Sequence, residues 1–102
     1  MQTIYEGPTG PLPPNYVEVH RWIDRKEISI WYGRSNVPSE IRTKPVHICL
    51  PGAPPAGGTL RPVRVEFFLP ASAVMNGSND LWKRVGEPCE NIPILNVRIV
   101  QP

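Results

Sequence analysis

Four side chains of this 102-residue chain could carry nucleophilic or metal chemistry: His20, His47, Cys49 and Cys89. His47 and Cys49 are two apart, which places them on one face of a strand. Structural zinc takes four such ligands, usually with pairs in tight turns, and the sequence contains no Cys-x-x-Cys or His-x-x-x-His pair. A reactive cysteine takes an adjacent base or a helix N-terminus. Cys49, among Ile48, Leu50 and Pro51, reads as a packed residue; Cys89, in a polar Glu-Pro-Cys-Glu-Asn turn, reads as the more exposed of the two. Both are expected as free thiols. Glu18, Asp24, Glu27 and Glu66 read as solvent-face or turn residues, and no pair of carboxylates suited to acid–base work follows from their spacing. These residues nominate no catalytic centre, no metal and no cofactor.

Binding residues are easier to nominate. Tyr16 to Tyr32 alternates as two strands meeting at Asp24-Arg25-Lys26-Glu27, the centre of an expected hairpin over residues 16–33. A four-residue loop on a type I turn accepts Asp at its first position. With Ile23 opposite Ile28, one face carries Val17, Val19, Ile23, Ile28, Ile30 and Tyr32, with Arg21 the one exception. The other face carries Glu18, His20, Trp22, Ser29 and Trp31, with His20 opposite Trp31 and Trp22 on the diagonal. Two tryptophans on the more polar face need a cover, and interfaces are enriched in Trp and Tyr. His20, Trp22, Trp31, Tyr32 and His47 are therefore the expected partner- or ligand-binding residues. That reading fails if both tryptophans are buried within one subunit.

The elements that would position these residues are short strands. Pro45–Leu50 reads as a strand with Val46, Ile48 and Leu50 inward. Val63–Leu69 follows, with Val63, Val65, Phe67 and Leu69 sharing the core face, and Pro62 blocks any earlier start. Leu95, Val97 and Ile99 alternate in a closing strand near 94–100. Residues 33–44 form a polar connection with one helical turn around Pro38, and 70–75 form another turn. Ser78 or Asn79 is placed to cap a short helix near 79–85 that ends at Gly86. Residues 51–59, with no large side chain, should form an exposed, mobile hairpin loop. Gly57-Gly58 lacks the strand–glycine–helix context of a phosphate cradle. Residues 1–15 form a proline-rich arm, read as packed along its own domain or a neighbouring subunit, and otherwise as a docking motif for an aromatic-lined groove.

Composition bounds the class. A chain of this length buries roughly 65% of its unfolded surface, enough for one core in one domain. With 14 Pro and 8 Gly punctuating the apolar runs, long helices are disfavoured. Six Lys or Arg meet five acids in residues 1–50, and five meet four in residues 51–102, so no basic block marks a nucleic-acid or membrane partner. Residues 1–6 carry no signal-peptide pattern, and no apolar run approaches membrane-spanning length. The expectation is a complete, small cytoplasmic protein.

The fold class expected is mainly β: a single small antiparallel barrel or sandwich of five to six strands with the one short helix near 79–85. The function expected is a non-catalytic interaction module that forms a homodimer or binds a protein partner through the aromatic hairpin face. The alternative is a small-molecule pocket for an apolar ligand inside the barrel, with His20 or His47 as a polar contact and the 51–59 loop as its lid. Single-stranded nucleic-acid binding by a stacking face comes third, disfavoured by the acids interleaved with the bases.

Overall fold

Tyr16–Ile23 (β2) alternates as expected but does not pair with the segment that follows it. Its long partner is Val63–Pro70 (β4), joined residue for residue from Tyr16↔Pro70 to Ile23↔Val63. His47–Cys49 (β3) lies along its other edge, with His20 opposite Cys49. The computed structural model describes residues 1–42, 44–55 and 61–102. Among these, Gln2–Glu6 (β1), Val74–Asn76 (β5), Trp82–Val85 (β6) and Leu95–Gln101 (β7) complete one antiparallel sheet in the order β1-β7-β4-β2-β3-β6-β5. The class is mainly β. The sheet has seven strands rather than five or six, and it is not closed into a barrel or sandwich, since β1 and β5 are its edges.

Residues 28–33, expected as the second hairpin strand, are not one. Arg25–Trp31 is a 3-10 helix, opened by the Asp24 carboxylate, which accepts the Glu27 backbone N–H at 3.0 Å. The physical reason is competition for edges. β4 takes one whole edge of β2, and β3 takes the other at His20, the middle of the span along which Ile28–Tyr32 would have paired. The segment instead lays Trp31 into the core against Phe67, at a ring-centroid distance of 5.1 Å.

The core lies between the inner sheet face and this 3-10 segment. Val19, Ile23, Val63, Val65, Phe67, Leu69, Ile48, Val85 and Ile99 come from the strands; Trp31, Val37, Ile41 and Ile94 close over them. The core faces read for β3 and β4 hold, with Val46 joining Ile48 inside. In β7 the phase slips. Glu66 pairs with Arg98 but Phe68 with Leu95, so one strand carries an extra residue, and Asn96 takes φ of 54° there. A β-bulge with Asn in the left-handed region re-aims the residues before it. Leu95 therefore leaves the core face, and Ile94 is buried instead.

The 79–85 helix is also replaced by a strand. The expected cap Asn79 does bind backbone N–H groups, those of Leu81 and Trp82 at 2.9 and 3.0 Å, but this side-chain turn opens β6. A helix of six or seven residues cannot stabilise itself, whereas β6 pairs on both edges, with β3 and β5. The turn near 70–75 is present as the 3-10 segment Ala71–Ala73; no helix forms around Pro38, where the chain makes a bridge from Asn36 to Pro93. In the β5–β6 turn a Cβ on Gly77 would run into the Trp82 carbonyl group. Gly77→Ala is therefore expected to cost roughly 1–3 kcal/mol in chemical denaturation; unchanged stability would show that the turn relaxes freely.

Candidate functional site

Because side chains alternate across each strand, the outer sheet face collects one residue from each pairing in a row. Arg98, Glu66, His20, Cys49 and Trp82 stand side by side across β7, β4, β2, β3 and β6, and Glu6 of β1 adds to the row beside Arg98. The neighbouring rows place Phe68 between Leu95 and Glu18, and Arg64 beside Trp22.

Two hollows open on this face. One, of 240 Å³, is lined by Glu6, Thr9, Glu18, Glu66, Phe68 and Arg98, among others. The second, of 210 Å³, is lined by Glu18, His20, Arg64, Glu66 and the loop residues Pro51 and Gly52. They share Glu18 and Glu66 and so adjoin as one groove, with the β1–β2 connection at one end and the 51–55 loop at the other. The first wall is fixed by Asn96, whose side chain accepts the Gly10 N–H at 3.1 Å and donates to the Gly10 carbonyl at 3.4 Å.

The charges in the groove are unevenly satisfied. Glu66 takes Arg64 at 2.9 Å and Arg98 at 3.7 Å. Glu6 and Glu18 have no ion-pair partner among the described residues. Half-buried Phe68 lies beside Glu18, so the first hollow offers an aromatic surface next to two free carboxylates. At the other end His20 is only 7% exposed, and its Nε2 has no hydrogen-bond partner. Burial, helped by the Arg64 charge and opposed by Glu66, holds the His20 pKa below its ordinary 6.5. The imidazole is thus neutral at neutral pH. As pH falls below about 6.5 the unfolded chain takes up a proton that folded His20 resists, so stability declines with acidification. A His20→Gln variant is expected to flatten the stability–pH curve between pH 7 and 5; an unchanged slope would remove His20 as its source.

The five residues nominated from sequence do not form one surface. His20 and Trp22 meet edge to face, with ring centroids 5.8 Å apart. Trp22 is 7% exposed under Ala53 and Trp82, with the Arg64 guanidinium 5.5 Å from its ring. Trp31 is fully buried in the core on the opposite side of the sheet. The joint Trp22/Trp31 surface therefore does not exist; its geometry required the local hairpin that β4 displaces. Tyr32 is exposed away from both, stacked on Tyr5 at 4.7 Å. His47 is exposed opposite Arg84 in the β3–β6 pair, outside the groove.

Both cysteines are free and buried. Cys89 is not the exposed residue expected: it enters the core at the 3-10 segment Cys89–Asn91, and Lys44 Nζ donates to its sulfur at 3.0 Å. Burial beside Trp22 raises the Cys49 thiol to about 11, against a smaller opposing pull from Arg21, which leaves it a protonated, poor nucleophile. No group of three or more His, Cys, Asp or Glu comes together as a metal site among the described residues. Of the expected 51–59 loop, Pro51, Gly52, Pro54 and Pro55 are exposed, but Ala53 is buried against Trp22; residues 56–59 lie outside those described. No described helix is long and apolar enough to cross a membrane.

The groove residues Glu6 and Phe68 were missed from sequence. The only signal for them was negative: Phe68 breaks the polar alternation of Arg64 and Glu66 on the outer face of β4. Compared with protein families, with curated proteins and with solved structures, the chain matches none. Any functional reading therefore stands on this geometry.

Proposed function

We propose that the chain is a non-catalytic binding module that takes an extended, basic segment of a protein partner across the outer groove. The observation that carries this is the pair of unpartnered carboxylates, Glu6 and Glu18, beside Phe68 in a hollow walled by the β1–β2 connection. A Lys or Arg side chain fits both features, laying its aliphatic stem on the ring and its cation between the acids.

Size favours a segment over a small molecule. Hollows of 240 and 210 Å³ fall below the roughly 300–1,000 Å³ of drug-sized ligand pockets. The hollow lies on the outer face of an open sheet, not inside a barrel, and His20, Pro51 and Gly52 are among its lining residues. A wider hollow of 570 Å³ is lined by Asp24, Lys26, Glu27, Ile30 and Glu40–Arg42, with mixed charges and no aromatic ring. Single-stranded nucleic acid finds free carboxylates in the groove and neither Trp22 nor Trp31 open for stacking.

Selection from a library of random linear peptides tests this. Peptides retained by the wild-type chain should carry Lys or Arg beside an apolar residue. They should bind a folded Glu18→Lys variant at least about tenfold more weakly, a loss of ~1.4 kcal/mol. Selected peptides that bind both forms equally, or an absence of any selected peptide, would contradict the proposal.

A further inference from the structure

The connection between β1 and β2 is built unlike a loop that closes a core. Pro8 through Asn15 are all exposed, and Leu12 is 39% exposed, so four prolines and a leucine bury nothing at home. Of the arm expected over residues 1–15 to pack along its own domain or a neighbouring subunit, Gln2–Glu6 packs on its own domain through Ile4 and Tyr5, whereas the side chains of residues 8–15 are exposed. Their backbone is nevertheless fixed at intervals. The Gly7 N–H donates to the Val97 carbonyl at 2.9 Å, Gly10 is clamped by Asn96, and the Ala71 N–H donates to the Asn15 carbonyl at 2.8 Å. The Tyr16 N–H donates to the Pro13 carbonyl at 3.2 Å.

Within this frame the sequence is conformationally narrow. Proline holds φ near −65°, and a residue before proline is pushed toward extended backbone. Gly10, Leu12 and Pro13 all precede prolines, so Pro11–Pro13 is pre-set for the polyproline conformation that aromatic-lined grooves recognise, and the chain then turns at Pro14–Asn15. Ordering such a segment on binding costs little entropy, because little freedom remains to be lost. An aromatic residue then follows at a fixed spacing: Pro13-Pro14-Asn15-Tyr16. Tyr16 opens β2 opposite Pro70 on the outer face and is half-buried there.

We propose that Pro11–Tyr16 is a ligand for a proline-recognising domain of another protein, of the WW type. Pro13 and Pro14 pack on the aromatic floor of that domain's groove, and the Tyr16 ring occupies an adjoining pocket. Grooves that pair the prolines with an acidic pocket for a flanking base find none here, since residues 1–20 contain no Lys or Arg. This goes beyond the outer groove as a receptor: here the chain is what is bound, through different residues.

The test titrates the full chain into an isotope-labelled, isolated WW domain that reads Pro-Pro-x-Tyr, with a synthetic peptide of residues 9–18 as a control. The folded chain should shift the resonances of the aromatic groove. Pro14→Ala and Pro13→Ala, each checked for an unchanged thermal transition, should weaken binding at least about tenfold. If one variant fails to fold, the other carries the comparison. No binding by the folded chain at millimolar concentration would overturn the proposal. So would equal binding by wild type and a folded variant, or binding only to a domain that reads proline without the tyrosine. Binding by the peptide alone would overturn it too, because β2 would then withhold Tyr16 from a partner.

Discussion

Trp31→Ala is expected to destabilise the fold by roughly 3–5 kcal/mol, lowering the thermal midpoint by about 15 °C or more. Trp31 is fully buried, packs on Phe67, and is the largest side chain that the 3-10 segment contributes to the core. Removing it leaves a cavity under the sheet that the short segment cannot fill by sliding, because Asp24 pins its start. Trp31→Phe should cost much less, about 1–2 kcal/mol, since it keeps the ring contact and loses the indole N–H bond to Glu27 at 3.1 Å. Equal losses for the two variants would mean that the hydrogen bond, not the packing, secures the segment.

The second large effect is expected at Glu27. Arg21 is the one charged residue on the inner face of β2 and is only 4% exposed. Its Nε and Nη2 donate to the Glu27 carboxylate at 2.8 and 3.3 Å, and its Nη1 donates to the His47 carbonyl at 3.0 Å. The same carboxylate accepts from Trp31, so one acid ties β2 to the segment that caps the core. Glu27→Ala strands a buried guanidinium, which costs about 3–5 kcal/mol. An Arg21→Met/Glu27→Leu double variant removes both charges and should recover most of that loss in equilibrium denaturation. A double variant as unstable as Glu27→Ala would show that the pair contributes more than mutual neutralisation.

These two effects mark where the sequence was legible and where it was not. Strict alternation in Val63–Leu69 and Tyr16–Ile23 identified both strands and their buried faces, because a two-residue period leaves one reading once a face is apolar. Ile28-Ser-Ile-Trp-Tyr32 alternates too. It also sets Ile28 and Trp31 three apart, the spacing of a 3-10 turn, and the choice between the two rests on which edges of β2 are already taken. That is decided by β3 and β4 together, both later in the chain. Arg21 stood out as an exception on an apolar face, and a buried cation calls for an acid. Glu27 is within reach of that argument, although its place in the chain marks it as a turn residue. Of the groove, His20 and the 51–59 loop were singled out, but not the carboxylates and ring that they adjoin. Glu6, Glu18 and Phe68 meet only through the order β1-β7-β4-β2, and alternation within a strand carries no information about strand order.

The outer groove is tested most directly by titrating the isotope-labelled chain with a capped, arginine-containing pentapeptide and following its backbone amides by NMR. Perturbations centred on Glu6, Glu18, Phe68 and Arg98, extending toward His20 and weakening as salt screens the two free carboxylates, are the predicted result. Perturbations centred instead on the Tyr5–Tyr32 pair, or none up to millimolar peptide, would contradict the assignment of the groove as the binding surface.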